Sequence, residues 1–176
     1  MAELVNMAGE GLPLYLWSKL AEEGQDPWDV GQERARREEG GFSYRNTIVL
    51  EKEKRVIGML TGYPISKEPQ PIEGMPPMFV PLQELENLAP LTWYVNVLAV
   101  VPEERGQGHG TTLLSLAVDI ARRLRMSGLS LIVSSANENA RRLYERHGYT
   151  LAGSRPMVKE DWQHGGTSWE LLRKAI

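Results

Sequence analysis

Residues 105–110 read Arg-Gly-Gln-Gly-His-Gly, followed by Thr111, so glycine occupies alternate positions at 106, 108 and 110. A turn stripped of side chains in this way lets an anion touch the backbone. Before it, residues 93–101 form a β-branched, apolar run closed by Pro102. After it, Leu113, Leu116, Ala117, Ile120, Ala121 and Leu124 recur at helical spacing. The pattern predicts a strand, a tight turn and a helix N-terminus. Such a terminus carries unpaired N–H groups and a partial positive charge, and it binds phosphate. A second constellation lies downstream in Asn137, Ala140, Tyr144, Gly148 and Tyr149. Asn137 and Tyr144 are seven residues apart, nearly two helical turns, and project from similar sides with room left at Ala140. The chemistry on offer is an amide, a gap and a phenol, and a phenol is a neutral proton donor at pH 7.

Each of these residues also has a structural reading. Tyr144 reads as a core aromatic, Asn137 as a helix N-cap and Gly148 as a C-cap. The glycine turn fits neither common nucleotide pattern. No Lys follows Gly110, which excludes a P-loop, and the glycines run G-x-G-x-G instead of the dinucleotide G-x-G-x-x-G.

Positioning these groups requires an α/β framework. Residues 2–8 read as a short helix ending at Gly9, and a second helical piece runs to about residue 23. Asp26-Pro27 starts a third helix expected to reach Glu39 and stop at Gly40-Gly41. Its charge run, residues 33–39, reads as a solvated face. Residues 46–51 and 56–63 form a hairpin of two strands about a polar turn. Six prolines between 64 and 81 forbid a regular helix or central strand there. Residues 82–88 supply one or two helical turns, 129–134 a short strand and 138–147 an amphipathic helix. Strands over 149–158 and 167–174 complete the chain, split by a polar loop at 160–166. The order indicates a mixed sheet. One domain over 1–176 is expected, with 64–91 a proline-rich insertion before the central strand.

Bulk properties narrow the function. Twenty Lys+Arg against 23 Asp+Glu give a net charge of −3, so nothing favours a nucleic-acid partner. The absence of cysteine excludes disulfides and thiol nucleophiles. His109, His147 and His164 lack ligand spacing, so no metal site is expected. The first residues lack a signal peptide's basic region and apolar run, and no membrane span occurs, which makes the cytoplasm the default compartment.

Taken together, the run from Val100 through Gly110 and the N-x-x-A-x-x-x-Y-x-x-x-G-Y pattern resemble the GCN5-related N-acetyltransferase (GNAT) superfamily. Arg105, Gly108 and Gly110 match that family's acyl-CoA motif, Arg/Gln-x-x-Gly-x-Gly/Ala. The resemblance is firm over 92–150 and looser over 42–63. It implies a mostly antiparallel central sheet with helices on both faces and a groove opened by diverging strands. It further implies acetyl-CoA as donor cosubstrate and transfer of the acetyl group to a primary amine, by direct attack in a ternary complex. Carried onto this chain, the backbone of Leu98, Ala99 and Val100 holds the pantetheine arm, and the Val100 N–H polarises the thioester carbonyl. Arg105, Gly106, Gln107, Gly108, His109, Gly110 and Thr111 cradle the pyrophosphate. Asn137 bonds the pantetheine, and Tyr144 protonates or bonds the leaving thiolate.

The chain departs from the family twice. Some members carry a Glu base on the central strand, where this chain has Tyr94, Val95 and Asn96. Water held by Asn96 or Tyr94, or a carboxylate such as Glu33, Glu84 or Asp161, then has to serve. The family usually opens with a strand, whereas residues 1–8 read as helix; that strand is missing or the given start is late. The acceptor, a small-molecule or peptide amine, is expected near Trp17, Trp28, Tyr63, Trp93 and the proline-rich segment, although these aromatics also read as core. A second copy of the chain is a further partner the family allows. The alternative function is a non-catalytic acyl-CoA sensor or interaction module on the same fold.

Overall fold

In the computed structural model, which describes residues 1–176, the apolar runs resolve into six helices and six strands. The helices are α1 (Ala2–Ala8), α2 (Leu12–Leu20), α3 (Pro27–Ala35), α4 (Val80–Asn87), α5 (His109–Arg123) and α6 (Glu138–Arg146). The strands are β1 (Thr47–Lys52), β2 (Arg55–Pro64), β3 (Thr92–Val100), β4 (Gly128–Ser134), β5 (Thr150–Pro156) and β6 (Ser168–Ala175). One sheet carries them in the order β1-β2-β3-β4-β6-β5. β1–β2, β4–β6 and β5–β6 are antiparallel, and β3–β4 is parallel. The mixed, mostly antiparallel sheet is the one expected. No helix is long and apolar enough to cross a membrane.

The chain divides into two compact units. The first comprises Met1–Tyr63 and Asn96–Leu113, and the second Pro64–Val95 and Leu114–Ile176. The core of the first unit gathers Ala2, Leu4 and Val5 of α1, Trp17 of α2 and Val30 of α3 against Met59, Val97 and Ala99. Trp17 meets Trp28 edge-on at 5.8 Å. A Cβ on Gly31 would lie 2.6 Å from the Trp17 ring, so α3 needs glycine at that contact. Asp26 caps α3 through the Trp28 N–H at 2.9 Å, with Pro27 in the first turn, as expected.

The far end of α3 differs from expectation. It stops at Ala35, four residues short of Glu39. The carbonyl of Arg37 accepts the hydroxyl of buried Ser43 at 2.6 Å, and Asn46 donates to the carbonyls of Gly40 and Gly41. Side chains of Ser43 and Asn46 thus satisfy carbonyls of the segment that follows the helix.

In the second unit, β4 and β6 bury Leu129, Leu131, Leu171 and Leu172 completely or nearly so. α4 lies against β5 and β6, where a Cβ on Gly153 would sit 3.1 Å from Leu88 and 3.3 Å from Leu85. The hydroxyls of Thr92 and Ser130 pair at 2.7 Å where β3 and β4 run side by side. The proline-rich segment is pinned at its base by Ile65 N–H to the Thr92 carbonyl and Leu91 N–H to the Ile65 carbonyl. Further out, the Asn87 amide grips both backbone groups of Gln70, each at 2.9 Å, as another peptide would.

Candidate active site

The sequence-predicted site residues fall into two groups, one in each unit. The first group is Leu98 to Val100 with residues 105–111. At the end of β3, the Val101 N–H donates to the Ile57 carbonyl of β2 at 2.9 Å. Backbone groups alternate sides along a strand, so those of Val100 are directed to the opposite edge. The Val100 carbonyl on that edge accepts the Arg105 Nε–H at 3.0 Å. Its N–H shares that direction, as an oxyanion donor requires. Pairing of β3 with β4 covers only Thr92, Tyr94 and the Trp93 between them.

The turn that follows is built by conformation. Gly106 and Gly108 have φ of +75° and +88°, a region that L side chains rarely adopt, and a Cβ on either would meet nothing within 4 Å. The glycines therefore relieve strain and leave space above the backbone. The Gly108 carbonyl accepts the Thr112 N–H at 3.0 Å and opens the ladder of α5. The N–H groups of the first helical turn before it have no intrahelical partner by geometry. These are the groups a pyrophosphate needs.

Side chains here hold the turn. Arg105 reaches Val100 and also the Met7 sulfur of α1 at 3.0 Å, so its guanidinium braces the strand end. Glu104 accepts from Lys52 at 3.0 Å and lies 3.6 Å from His109 Nε2. The Lys52 hydrogen bond, aided by His109 and Gln107, holds the Glu104 carboxyl below its ordinary range.

The second group is Asn137 and Tyr144 on α6. Asn137 caps the helix, its side-chain oxygen accepting the Ala140 N–H at 3.2 Å. That fixes the amide and leaves its NH2 to donate elsewhere. The helix ends as the sequence suggested: Gly148 at φ +83°, its N–H on Glu145, and the Tyr149 N–H on Tyr144 at 3.1 Å. Tyr144 is buried, with its ring 5.8 Å from that of Tyr149. Arg141 locks α6 to β6 through Glu170 at 2.7 Å and braces its own helix through Glu145 at 2.9 Å. Both the capping reading of Asn137 and the core reading of Tyr144 hold.

Among the candidate bases, Glu84 is committed to Arg155 at 2.5 Å, Glu33 is exposed on α3, and Asn96 is the exposed residue of β3. Trp17 and Trp93 are core; Trp28 and Tyr63 are half-buried. No cluster of three or more His, Cys, Asp or Glu is placed to hold a metal ion. Sequence reading missed the brace made by Arg105, the Asn87 grip and the burial of the Tyr149 phenol. Only contacts distant in sequence reveal the first two.

The sequence pattern of the acetyltransferase (GNAT) family matches residues 13–149. The chain belongs to this GNAT family. No curated protein matches it significantly by sequence. Among solved structures, an acetyltransferase is similar over 99% of this chain and 92% of its own, with 21% identity and a TM-score of 0.65. A GNAT acetyltransferase from Elizabethkingia anophelis with acetyl-CoA bound is 18% identical over 74% of this chain and 75% of its own, with a TM-score of 0.55. Ard1 from Thermoplasma volcanium is 15% identical over 90% of this chain and 84% of its own, with a TM-score of 0.57. At these identities the likeness is one of fold. The chain's six-stranded, mostly antiparallel mixed sheet with its helices matches that fold.

Proposed function

We propose that this GNAT chain is an acetyl-CoA-dependent N-acetyltransferase acting on a primary amine. The observation that carries the reading is the end of β3. The Val101 N–H is used by β2, which turns the Val100 N–H outward, and Arg105 holds the Val100 carbonyl on that same edge. A donor fixed in this way stabilises the oxyanion that forms when an amine attacks a thioester carbonyl, and it needs no reorganisation at that moment. The backbone of Leu98, Ala99 and Val100 receives the pantetheine. The N–H groups from Gly106 to Thr111 receive the pyrophosphate; that of Arg105, expected to join them, instead donates to the Pro102 carbonyl at 3.2 Å. In the second unit, Asn137 donates its NH2 to the pantetheine, and the Tyr144 phenol donates its proton to the departing sulfur.

The reaction balances as a direct transfer. The amine nitrogen forms a bond to the carbonyl carbon, the C–S bond breaks, and sulfur leaves with the electron pair and takes the Tyr144 proton. The proton lost by the amine returns Tyr144 to its neutral form through water. β3 supplies no carboxylate for that step, and its exposed Asn96 or its Tyr94 would hold the water.

The acceptor is a small-molecule or peptide amine. A panel of amines assayed by CoA release separates this reading from an acyl-CoA sensor, for which the missing strand carboxylate is the supporting observation. Tyr144→Phe tests the mechanism: turnover is expected to fall at least tenfold while acetyl-CoA affinity stays within about threefold, since one hydrogen bond to a forming charge carries about 1.5–3 kcal/mol. Unchanged turnover would remove Tyr144 from the chemistry.

A further inference from the structure

Tyr149 follows Gly148 at the start of the last hairpin, and its side chain is 2% exposed. Its hydroxyl is buried and has no hydrogen-bond partner. Burying a phenol oxygen without a partner carries an uncompensated desolvation cost, which a phenylalanine of the same shape would avoid. Packing therefore explains the ring and leaves the hydroxyl without a purpose. Its closest described aromatic neighbour is Tyr144, at 5.8 Å between centroids and tilted by 58°.

Backbone geometry makes this neighbourhood obligatory. Gly148 in the left-handed region reverses the chain, and the Tyr149 N–H returns to the Tyr144 carbonyl. No rotation of the loop can separate the two residues without breaking the helix end. The charged group packed on Tyr149 from β6 is Lys174, with Nζ 5.9 Å from the ring centroid. Burial pushes the Tyr149 phenol up, and a negative charge on Tyr144 pushes it further. Tyr149 thus stays a neutral donor at every working pH, close enough to sense charge on Tyr144.

We propose that Tyr149 is a positioning residue for Tyr144, its hydroxyl donating a hydrogen bond to the Tyr144 oxygen as that oxygen yields its proton. This rests on the role proposed for Tyr144. As C–S breaks and the sulfur takes the Tyr144 proton, the phenolate left behind belongs to a buried side chain. One neutral O–H turned onto it from the adjacent ring would lower the cost of that charge, and no proton need leave Tyr149. The unpartnered state in the resting protein is then the ground state of a group used only in the transition state.

The test is Tyr149→Phe, which keeps the ring and removes the hydroxyl. Turnover is followed by CoA release from acetyl-CoA, with hydroxylamine and a panel of primary amines as nucleophiles. A tenfold or greater loss in kcat is expected, with KM for acetyl-CoA within twofold and melting temperature unchanged or raised. The alkaline limb of the kcat profile is expected to move up in pH, because the Tyr144 phenolate has lost a donor. In Tyr144→Phe, adding Tyr149→Phe is expected to cost nothing further. A purely structural role would instead give additive losses. Full kcat in Tyr149→Phe, or additive losses, overturns the proposal. Should Tyr144→Phe alone retain full turnover, or the wild-type chain release no CoA with any nucleophile, the proposed function fails and the role of Tyr149 with it. Impaired Tyr144→Phe beside a fully active Tyr149→Phe removes only the present inference.

Discussion

Gly108→Ala separates the conformational role of the turn from its binding role. Gly108 sits at φ +88° with nothing within 4 Å of a built Cβ. The methyl group therefore meets no protein atom, and the stability cost is backbone strain alone, about 1–2 kcal/mol. For a chain of this length that lowers the melting temperature by about 2–8 °C. Gly74 supplies a matched control: it sits at φ +76°, also with nothing within 4 Å, in the proline-rich segment. Both alanine variants should lose similar stability. Only at Gly108 would the methyl enter the proposed pyrophosphate cradle. Displacing one N–H to a charged oxygen forfeits about 1.5–3 kcal/mol, and thus about 10- to 150-fold in Kd. The assay is acetyl-CoA titration of each variant beside a thermal melt. Wild-type affinity in Gly108→Ala, or an equal loss in Gly74→Ala, would refute the assignment of this turn as the phosphate cradle.

Two other perturbations follow from the same unit. Arg105→Met leaves the Val100 carbonyl without its brace and should lower kcat about tenfold at saturating acetyl-CoA; one charged hydrogen bond is of that size. Arg105→Lys should not restore it, because the contact uses the guanidinium Nε–H and its fixed fork. Full kcat in Arg105→Met contradicts the bracing role. Lys52→Met acts on acid stability. The carboxyl of Glu104 is held below its ordinary value, so its stabilisation is complete above that value and is lost as pH falls through the lowered one. The variant should therefore unfold at higher pH than wild type in an acid titration, with the difference shrinking at the acid end. Superimposable acid-unfolding curves would count against this linkage.

Local signals carried much of the fold. The six strands and six helices were visible because β-branched runs, helical stripes and turn residues agreed with one another. Asp26-Pro27 announced α3, and Gly148 announced the end of α6. The end of α3 was illegible, because no glycine or proline stands between Ala35, where it stops, and Gly40. The glycine turn was legible because positive φ at Gly106 and Gly108 restricts the residue type. The brace from Arg105 to Val100 was not, since an arginine in a phosphate motif reads as a phosphate ligand. Tyr149 was hidden for another reason: a buried aromatic after a C-cap glycine is ordinary, and only the absence of a partner for its hydroxyl marks it. The acceptor left no signature of residue type and spacing at all.

Isothermal titration of acetyl-CoA into the folded wild-type chain tests the central claim most directly. The account predicts saturable binding at one site per chain, weakened in Gly108→Ala and retained in Tyr144→Phe. Absence of binding to well-folded protein would contradict it.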